Sequence, residues 1–354
     1  MPSYSTDQIR NVALAGHAGA GKTTLFEALL HAGGEIQTAG TVERGTTVSD
    51  FDPMEKARGH SINSSIASID HGGIHVNLVD TPGYPDFRGP TLSSLAAVET
   101  CAVVVNAVNG IEHSTVRLMH YARARRLCRL LVVNKIDHED VDLEFLVEQL
   151  REAFGPECLP INLPAKDRTA VVDCFFSPAG DGADFSSVAE AHQRIIDQVV
   201  EINETVMGRY LEEGEAGLSG QDLHDAFEQC LREGHLVPIC FVSGRSGAGV
   251  GQLLDLFEKL LPSPLEGNPP LFVKGEGGEP FEPEPHPGKH DSCRKGEGEE
   301  GAKGHGGDEK AEVGACAPGK VPQVVQAAKP STTLRVVALF LWCPHDKPVP
   351  AWLL

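Results

Sequence analysis

A chain of 354 residues with 50 acidic against 30 basic side chains carries a formal net charge of −20 and has a pI of about 5.1. A field of that sign disfavours unspecific nucleic-acid binding, so contact with RNA has to be local and no specific DNA recognition is expected. At 41% hydrophobic residues the chain can bury a core, and its length suits two domains.

The nine cysteines are scattered without a Cys-x-x-Cys pair, which predicts reduced thiols in a cytoplasmic protein. The opening MPSYSTDQIR has no charged-then-apolar pattern of a signal peptide. No apolar run approaches the ~20 residues that span a bilayer, so no membrane association is expected.

In chain order, residues 12–15 read as a strand and 22–32 as a helix. Between them, Gly16, His17, Ala18, Gly19, Ala20, Gly21, Lys22, Thr23 and Thr24 form a Gly-x-x-x-x-Gly-Lys-Thr phosphate loop. Its glycines let successive N–H groups turn toward phosphate oxygens, and the helix start adds a positive dipole end. Lys22 would reach the β- and γ-phosphates and Thr23 would bind Mg²⁺. The bland alternative is a glycine-rich turn that happens to precede a helix.

Residues 33–59, rich in Gly, Thr and charge, read as a long mobile loop. Residues 61–70 and 74–80 read as a strand hairpin. Helices are predicted over 92–100, 116–127 and 141–154, with buried strands at 102–108 and 130–134. Such alternation predicts an α/β fold, a mostly parallel sheet with helices on both faces. The rhythm breaks over 157–235, where a strand at 171–176 and helical runs at 187–213 and 221–232 predict a small inserted α+β subdomain. It resumes with a strand at 237–242 and a helix at 250–261. The expected domains are therefore 8–156 with 236–265, an insert at 157–235, and a low-complexity tail at 266–354. Residues 275–320 are too poor in large apolar side chains to fold alone. His286, His290 and His305 are spaced too irregularly for a metal site, and 336–342 is too short for an anchor. A basic stretch, Arg123, Arg125, Arg126 and Arg129, is expected to be a solvated helix face, with RNA phosphate contact as the sharper alternative.

Three further segments complete a nucleotide pocket. Asp80-Thr81-Pro82-Gly83 follows a strand, which places Asp80 to hold the Mg²⁺ shell and the Gly83 N–H to meet a γ-phosphate; alone it is an ordinary turn. Asn134, Lys135 and Asp137 belong to an Asn-Lys-x-Asp segment ending a strand. The Asp137 carboxylate would accept from guanine N1–H and its exocyclic amine, donors adenine lacks, while Asn134 meets the far edge and the Lys135 stem lies along the ring. Ser243, Gly244 and Arg245 would close over the base. In Arg58-Gly59-His60-Ser61, the Ser61 hydroxyl would join the Mg²⁺ shell only while a γ-phosphate is present, which makes the preceding loop a switch.

GHAGAGKTT, RGHSI, DTPGYPDF, NKID and SGRSGAGV stand in the order found in the elongation factor G family, and TVSDFDPMEKARGHSINSSIAS resembles its elongation factor G-like subgroup. The resemblance covers about 8–270. It implies a translation-factor GTPase domain that binds GTP or GDP and Mg²⁺ in a bacterial cytoplasm and acts on the ribosome in elongation or ribosome disassembly. Lys22, Gly83 and Tyr84 would be its catalytic group, and the expected state is a monomer. Three positions depart from the main members. Tyr84 stands where they carry a water-positioning histidine, Gly19 replaces a phosphate-loop aspartate, and Ser61 replaces a threonine. The family also continues into a β-barrel and further domains after a point near Asn268, so the chain reads as a truncated or frame-disrupted relative. The alternative function is a guanine-nucleotide switch that does not hydrolyse GTP usefully; a P-loop kinase or ATPase is disfavoured by Asn134–Asp137.

Overall fold

The computed structural model describes residues 4–178, 180, 182–268, 272–273 and 280–281. Its centre is a seven-stranded sheet of hydrogen-bonded order β2-β3-β1-β4-β5-β9-β6. The strands are β1 (Ile9–Gly16), β2 (Ser65–His71), β3 (Ile74–Asp80), β4 (Thr100–Asn106), β5 (Cys128–Asn134), β6 (Cys158–Pro160) and β9 (Val237–Val242). Only the β2–β3 pair is antiparallel. Every residue of β4, β5 and β9 is buried, which is why these strands read as unbroken apolar runs rather than alternating ones.

Alternate residues of each strand feed two separate cores. Val12, Leu14, Val104 and Val132 pack with Leu25, Phe26 and Leu29 of α1 (Lys22–Ala32) and Leu253 and Phe257 of α9 (Val250–Leu260). Ala13, Ala15, Val103 and Val133 face α4 (His113–Ala124) and α5 (Leu143–Phe154), through Leu118, Met119, Leu146 and Leu150. The chain therefore has the doubly covered parallel sheet that its alternation predicts.

The segment between α5 and β9 adds β6 as an edge strand of that sheet. It also adds a small antiparallel pair, β7 (Asn162–Pro164) with β8 (Val171–Asp173), and α6 (Val188–Val200), α7 (Glu204–Glu213) and α8 (Gly220–Glu233). Ile195 and Val199 of α6 and Phe227 and Cys230 of α8 belong to the same apolar cluster as α1 and α9. The single helical run predicted over 187–213 is two helices, because the Asn203 side chain accepts from the Thr205 and Val206 N–H groups and starts a new one.

Other boundaries shift for local reasons. The helix expected at 92–100 is α3 (Arg88–Leu95), since Pro90 sits in the first turn where its missing N–H costs nothing, and Thr100 already opens β4. The expected loop over 33–59 contains α2 (Pro53–Arg58), begun by an Asp52–Glu55 capping box. Strand β2 begins at Ser65 because the Ile62 and Asn63 N–H groups donate to Glu55 Oε1 instead of to a neighbouring strand.

The basic stretch is solvated at Arg123, Arg125 and Arg126, but only Arg123 lies within a helix and Arg129 is buried. Helix α4 ends at Ala124, Arg126 turns the chain in the left-handed region at φ 58°, and Arg129 lies in β5 with 6% of its surface exposed.

Beyond residue 270, Phe272–Val273 (β10) pairs antiparallel with Pro280–Phe281 (β11). The stretches 275–320 and 336–342 and the three tail histidines otherwise lie outside the described residues. Among the described residues no helix is long and apolar enough to cross a membrane.

Candidate functional site

The carboxyl ends of β1, β3, β5 and β9 deliver the four predicted segments to one edge of the sheet. Gly19 and Gly21 hold φ values of 79° and 88°, the left-handed backbone that bends the loop into the start of α1. A side chain on Gly21 would run into Asn134 Nδ2 at 2.5 Å. Ala20 N donates back to His17 O, and the His17 ring lies 3.1 Å from Glu112 Oε1.

Lys22 is buried, and its ammonium donates to the Gly16 and His17 carbonyls at 3.0 Å each. Burial lowers its pKa to about 8, against the pull of Asp80 and Glu112. A lysine held on two loop carbonyls, with no carboxylate in contact, is poised for an anion. Gly83 comes up against the same place: a Cβ there would lie 2.4 Å from Lys22 Nζ and 2.7 Å from Ala18 N. Only a glycine lets the Asp80–Gly83 segment approach this cradle. That segment is held by Thr81 Oγ1, which donates to Leu14 O, and by Thr91 Oγ1, which donates to Pro82 O.

Thr23 Oγ1 donates to Asp80 Oδ2 at 2.7 Å and Ser61 Oγ donates to Asp50 Oδ1 at 2.7 Å. The two hydroxyl oxygens lie 3.3 Å apart, within hydrogen-bond reach of one another, so hydroxyls and carboxylates form one continuous cluster of oxygens. The other Asp80 oxygen, Oδ1, is buried without a hydrogen-bond partner among the described residues. Burial raises the Asp80 pKa to about 6, although Lys22 and the Thr23 hydroxyl pull it down. Two hydroxyls, two carboxylates and an orphaned carboxylate oxygen are hard oxygen donors, and they fit Mg²⁺. Asp50 is a member that sequence reading missed; an aspartate in the run TVSDFDP carries no signal of its own.

The segment bearing Asp50 and Ser61 is tied down by two buried glutamates. Glu27 of α1 accepts from Gly40 N at 2.9 Å and Val48 N at 2.6 Å. Glu55 accepts from Asp52, Ile62 and Asn63 N–H groups. These braces give the expected mobile loop a defined course.

Asn134 is the hub of the base side. Its Nδ2 donates to Ala20 O and Gly21 O, and its Oδ1 accepts from Lys135 N and Gly244 N. One carboxamide thus joins three loops. Lys135, at φ 69°, sends its ammonium over the phosphate loop to Gly19 O at 2.9 Å. Asp137 is exposed and its carboxylate has no hydrogen bond or ion pair among the described residues. Ser243 is fully buried and its Oγ accepts from Ser246 N. The Gly244, Ser246 and Gly247 N–H groups are all donated within the protein, which leaves Arg245 N–H as the amide of that loop still open to a ligand.

Tyr84 is 44% exposed at the mouth of the site, with its ring centroid 4.5 Å from that of His60. The sequence pointed to Tyr84 but not to an imidazole beside it.

Three comparisons bear on this site. The profile of the Elongation factor Tu GTP binding domain matches residues 7–263. An Elongation factor G-like protein of Mycobacterium tuberculosis is 32% identical over 281 residues, which cover 76% of this chain and 39% of that protein. The mitochondrial Ribosome-releasing factor 2 of Anopheles gambiae is 30% identical over 287 residues, 75% of this chain and 39% of that one. A crystal structure of a Thermus thermophilus protein superposes with a TM-score of 0.66 at 35% identity, over 73% of this chain and 41% of its own. The chain spans about two fifths of the length of the relatives it matches.

Proposed function

Because this chain belongs to the translation-factor GTPase family, the family of the elongation factor Tu GTP binding domain, we propose that it binds GTP and GDP with Mg²⁺ and hydrolyses GTP in response to the ribosome. The observation that carries the reading is the convergence of the Thr23 and Ser61 hydroxyls, 3.3 Å apart, each also bonded to a buried carboxylate, Asp80 or Asp50. Such a cluster of hard oxygen donors suits a divalent cation.

In this reading the phosphate-loop amides and Lys22 receive the phosphates, and Lys22 leaves its two carbonyls to do so. Gly83 offers its N–H where the γ-phosphate ends. Thr23, Asp80 and Ser61 hold Mg²⁺, which when bound neutralises phosphate charge. Asp137 accepts from guanine and the Arg245 N–H meets its oxygen, while Asn134 keeps the loops in register and the Lys135 stem covers the ring. Tyr84 orients the attacking water. Catalysis by such a site is positioning and electrostatics, with no covalent intermediate on the protein.

The relatives' names point to elongation or to release of ribosomes, and the site proposed here serves either. The cytoplasm is the compartment this role implies. A second reading, a switch that binds guanine nucleotide without useful hydrolysis, is favoured by Tyr84 itself, whose phenol lacks the charge an imidazole can carry. Phosphate release from GTP, measured with and without ribosomes, separates the two: release stimulated by ribosomes supports the GTPase, and binding without release supports the inert switch.

A further inference from the structure

A second basic basin lies at the opposite end of the sheet from the nucleotide site. It forms where β5 and β9 begin, whereas Asn134 and Val242 end those strands, so roughly 20 Å of strand separates the two places. The cavity has a volume of about 570 Å³ and its wall includes Arg123, Arg126, Arg129, Arg232 and His235. Glu157 and Glu233 are the carboxylates on the same wall. On a chain with a net charge of −20, four arginines converging on one concavity run against the overall composition.

Arg129 is the anomaly that points to a ligand. Its side chain is more than nine-tenths buried. Among the described residues it makes one hydrogen bond, from Nη2 to Gly234 O at 3.1 Å, with no carboxylate within ion-pair distance. The donors it does not use within the protein reach the cavity, where an anion could complete them. Burial and the neighbouring Arg123 press its pKa downward, and Glu157 across the wall pulls the other way. Arg232 is only loosely engaged, 3.9 Å from Glu228 on its own helix, and His235 lies 3.7 Å from Glu233.

The basin is also built rather than fortuitous. Asn268 Nδ2 donates to both Arg126 O and Arg232 O at 2.7 Å, which clamps together the two turns that carry arginines. Arg126 is held in the left-handed region, a strain that a non-glycine residue adopts only when its surroundings enforce it. Gly234, at φ 78°, leaves room for the guanidinium: a Cβ there would lie 2.8 Å from Arg129 Nη2.

We propose that this basin binds a small, multiply charged phosphate-type anion, received by the guanidinium groups of Arg123, Arg129 and Arg232. The repulsive field of the acidic chain favours a compact polyanion over a long nucleic-acid backbone. Guanidinium forks match phosphate oxygens in pairs, and Arg129 brings unfilled donors already fixed in place.

The test is calorimetric titration of the full chain with pyrophosphate at saturating GDP, which occupies the phosphate loop. A parallel set in a Lys22→Ala background silences that loop if GDP itself fails to bind, so the outcome does not depend on the nucleotide reading. Pyrophosphate should bind once per chain. The double substitution Arg123→Ala/Arg232→Ala, at an exposed and a half-buried position, should weaken it at least about tenfold and move the melting temperature little. Arg129→Met should abolish binding while leaving the melting temperature equal or higher, since an apolar chain replaces a largely buried guanidinium that has no ion pair among the described residues. No pyrophosphate binding with the loop silenced, or equal affinity in the double variant, would overturn the proposal. So would an Arg129→Met chain that melts lower yet binds as before, because Arg129 would then be a structural tie to Gly234. Binding of a short single-stranded RNA that depends on Arg123 and Arg232, without pyrophosphate binding, would also overturn it in favour of an RNA contact.

Discussion

The rings of His60 and Tyr84 lie with centroids 4.5 Å apart and planes tilted by 50°, so the tyrosine proposed to orient water is packed against an imidazole from the neighbouring segment. The Phe87 ring also lies near His60, with centroids 5.9 Å apart. If the Tyr84 hydroxyl orients water and His60 holds the ring, Tyr84→Phe should slow GTP hydrolysis about 10–100-fold with GTP affinity unchanged. His60→Ala should slow it too, and the double variant should be no slower than the worse single one, because the two act as a unit. Single-turnover phosphate release reads all three.

Asp80 gives the site a pH signature. Its carboxyl is raised from 3.8 to about 6 in the folded chain, so the native state holds a proton that the unfolded state has lost between those values. That stability is fully present below about pH 4 and is lost as pH rises through about 6. Asp80→Asn removes the effect. Without nucleotide, the variant should gain on the parent by up to about 3 kcal/mol between pH 4 and pH 7 in denaturant unfolding. It should at the same time lose the Mg²⁺ dependence of nucleotide binding.

Glu55 braces the segment before Ser61 through the Ile62 and Asn63 N–H groups at 2.9 and 3.0 Å. Glu55→Ala leaves those donors without an acceptor and should destabilise that segment by about 1–3 kcal/mol. Hydrogen exchange at residues 60–64 should rise. The Mg²⁺ concentration needed for GTP binding should rise with it, whereas GDP binding should change little.

Asn134 and Asp137, three residues apart, should fail in different ways. Asn134→Ala breaks four backbone ties at a buried position and should cost at least about 1–3 kcal/mol of stability in the nucleotide-free chain. Asp137→Asn, at an exposed position, should leave stability within about 0.5 kcal/mol. It should lower guanine-nucleotide affinity at least about a hundredfold and admit xanthine nucleotides, whose C2 carbonyl suits an amide donor.

Much of the sheet was legible because β4, β5 and β9 are buried on both faces and so read as apolar runs at the right spacing from the glycine loop. Lys22, Thr23, Asp80, Asn134 and Asp137 were legible because each belongs to a short motif with a fixed place after a strand. What escaped depends on partners far away in sequence. Asp50 matters only because Ser61 folds onto it, and His60 only because its ring meets Tyr84 across the site. Arg129 looked like one more surface charge until β5 carried it into the sheet. The three-residue strands Cys158–Pro160 and Asn162–Pro164, each ending in proline, are too short for periodicity to reveal.

The hydroxyls of Thr23 and Ser61, clustered with two buried carboxylates, are proposed to hold the cation of a guanine-nucleotide site. The most direct measurement is the affinity of the purified chain for GTP and GDP with and without Mg²⁺, competed by ATP, for the parent chain and for Thr23→Ala. The account predicts guanine-specific binding that Mg²⁺ strengthens, no competition by ATP, and loss of the Mg²⁺ effect in Thr23→Ala. Absence of guanine binding, or binding indifferent to both Mg²⁺ and Thr23, would contradict it.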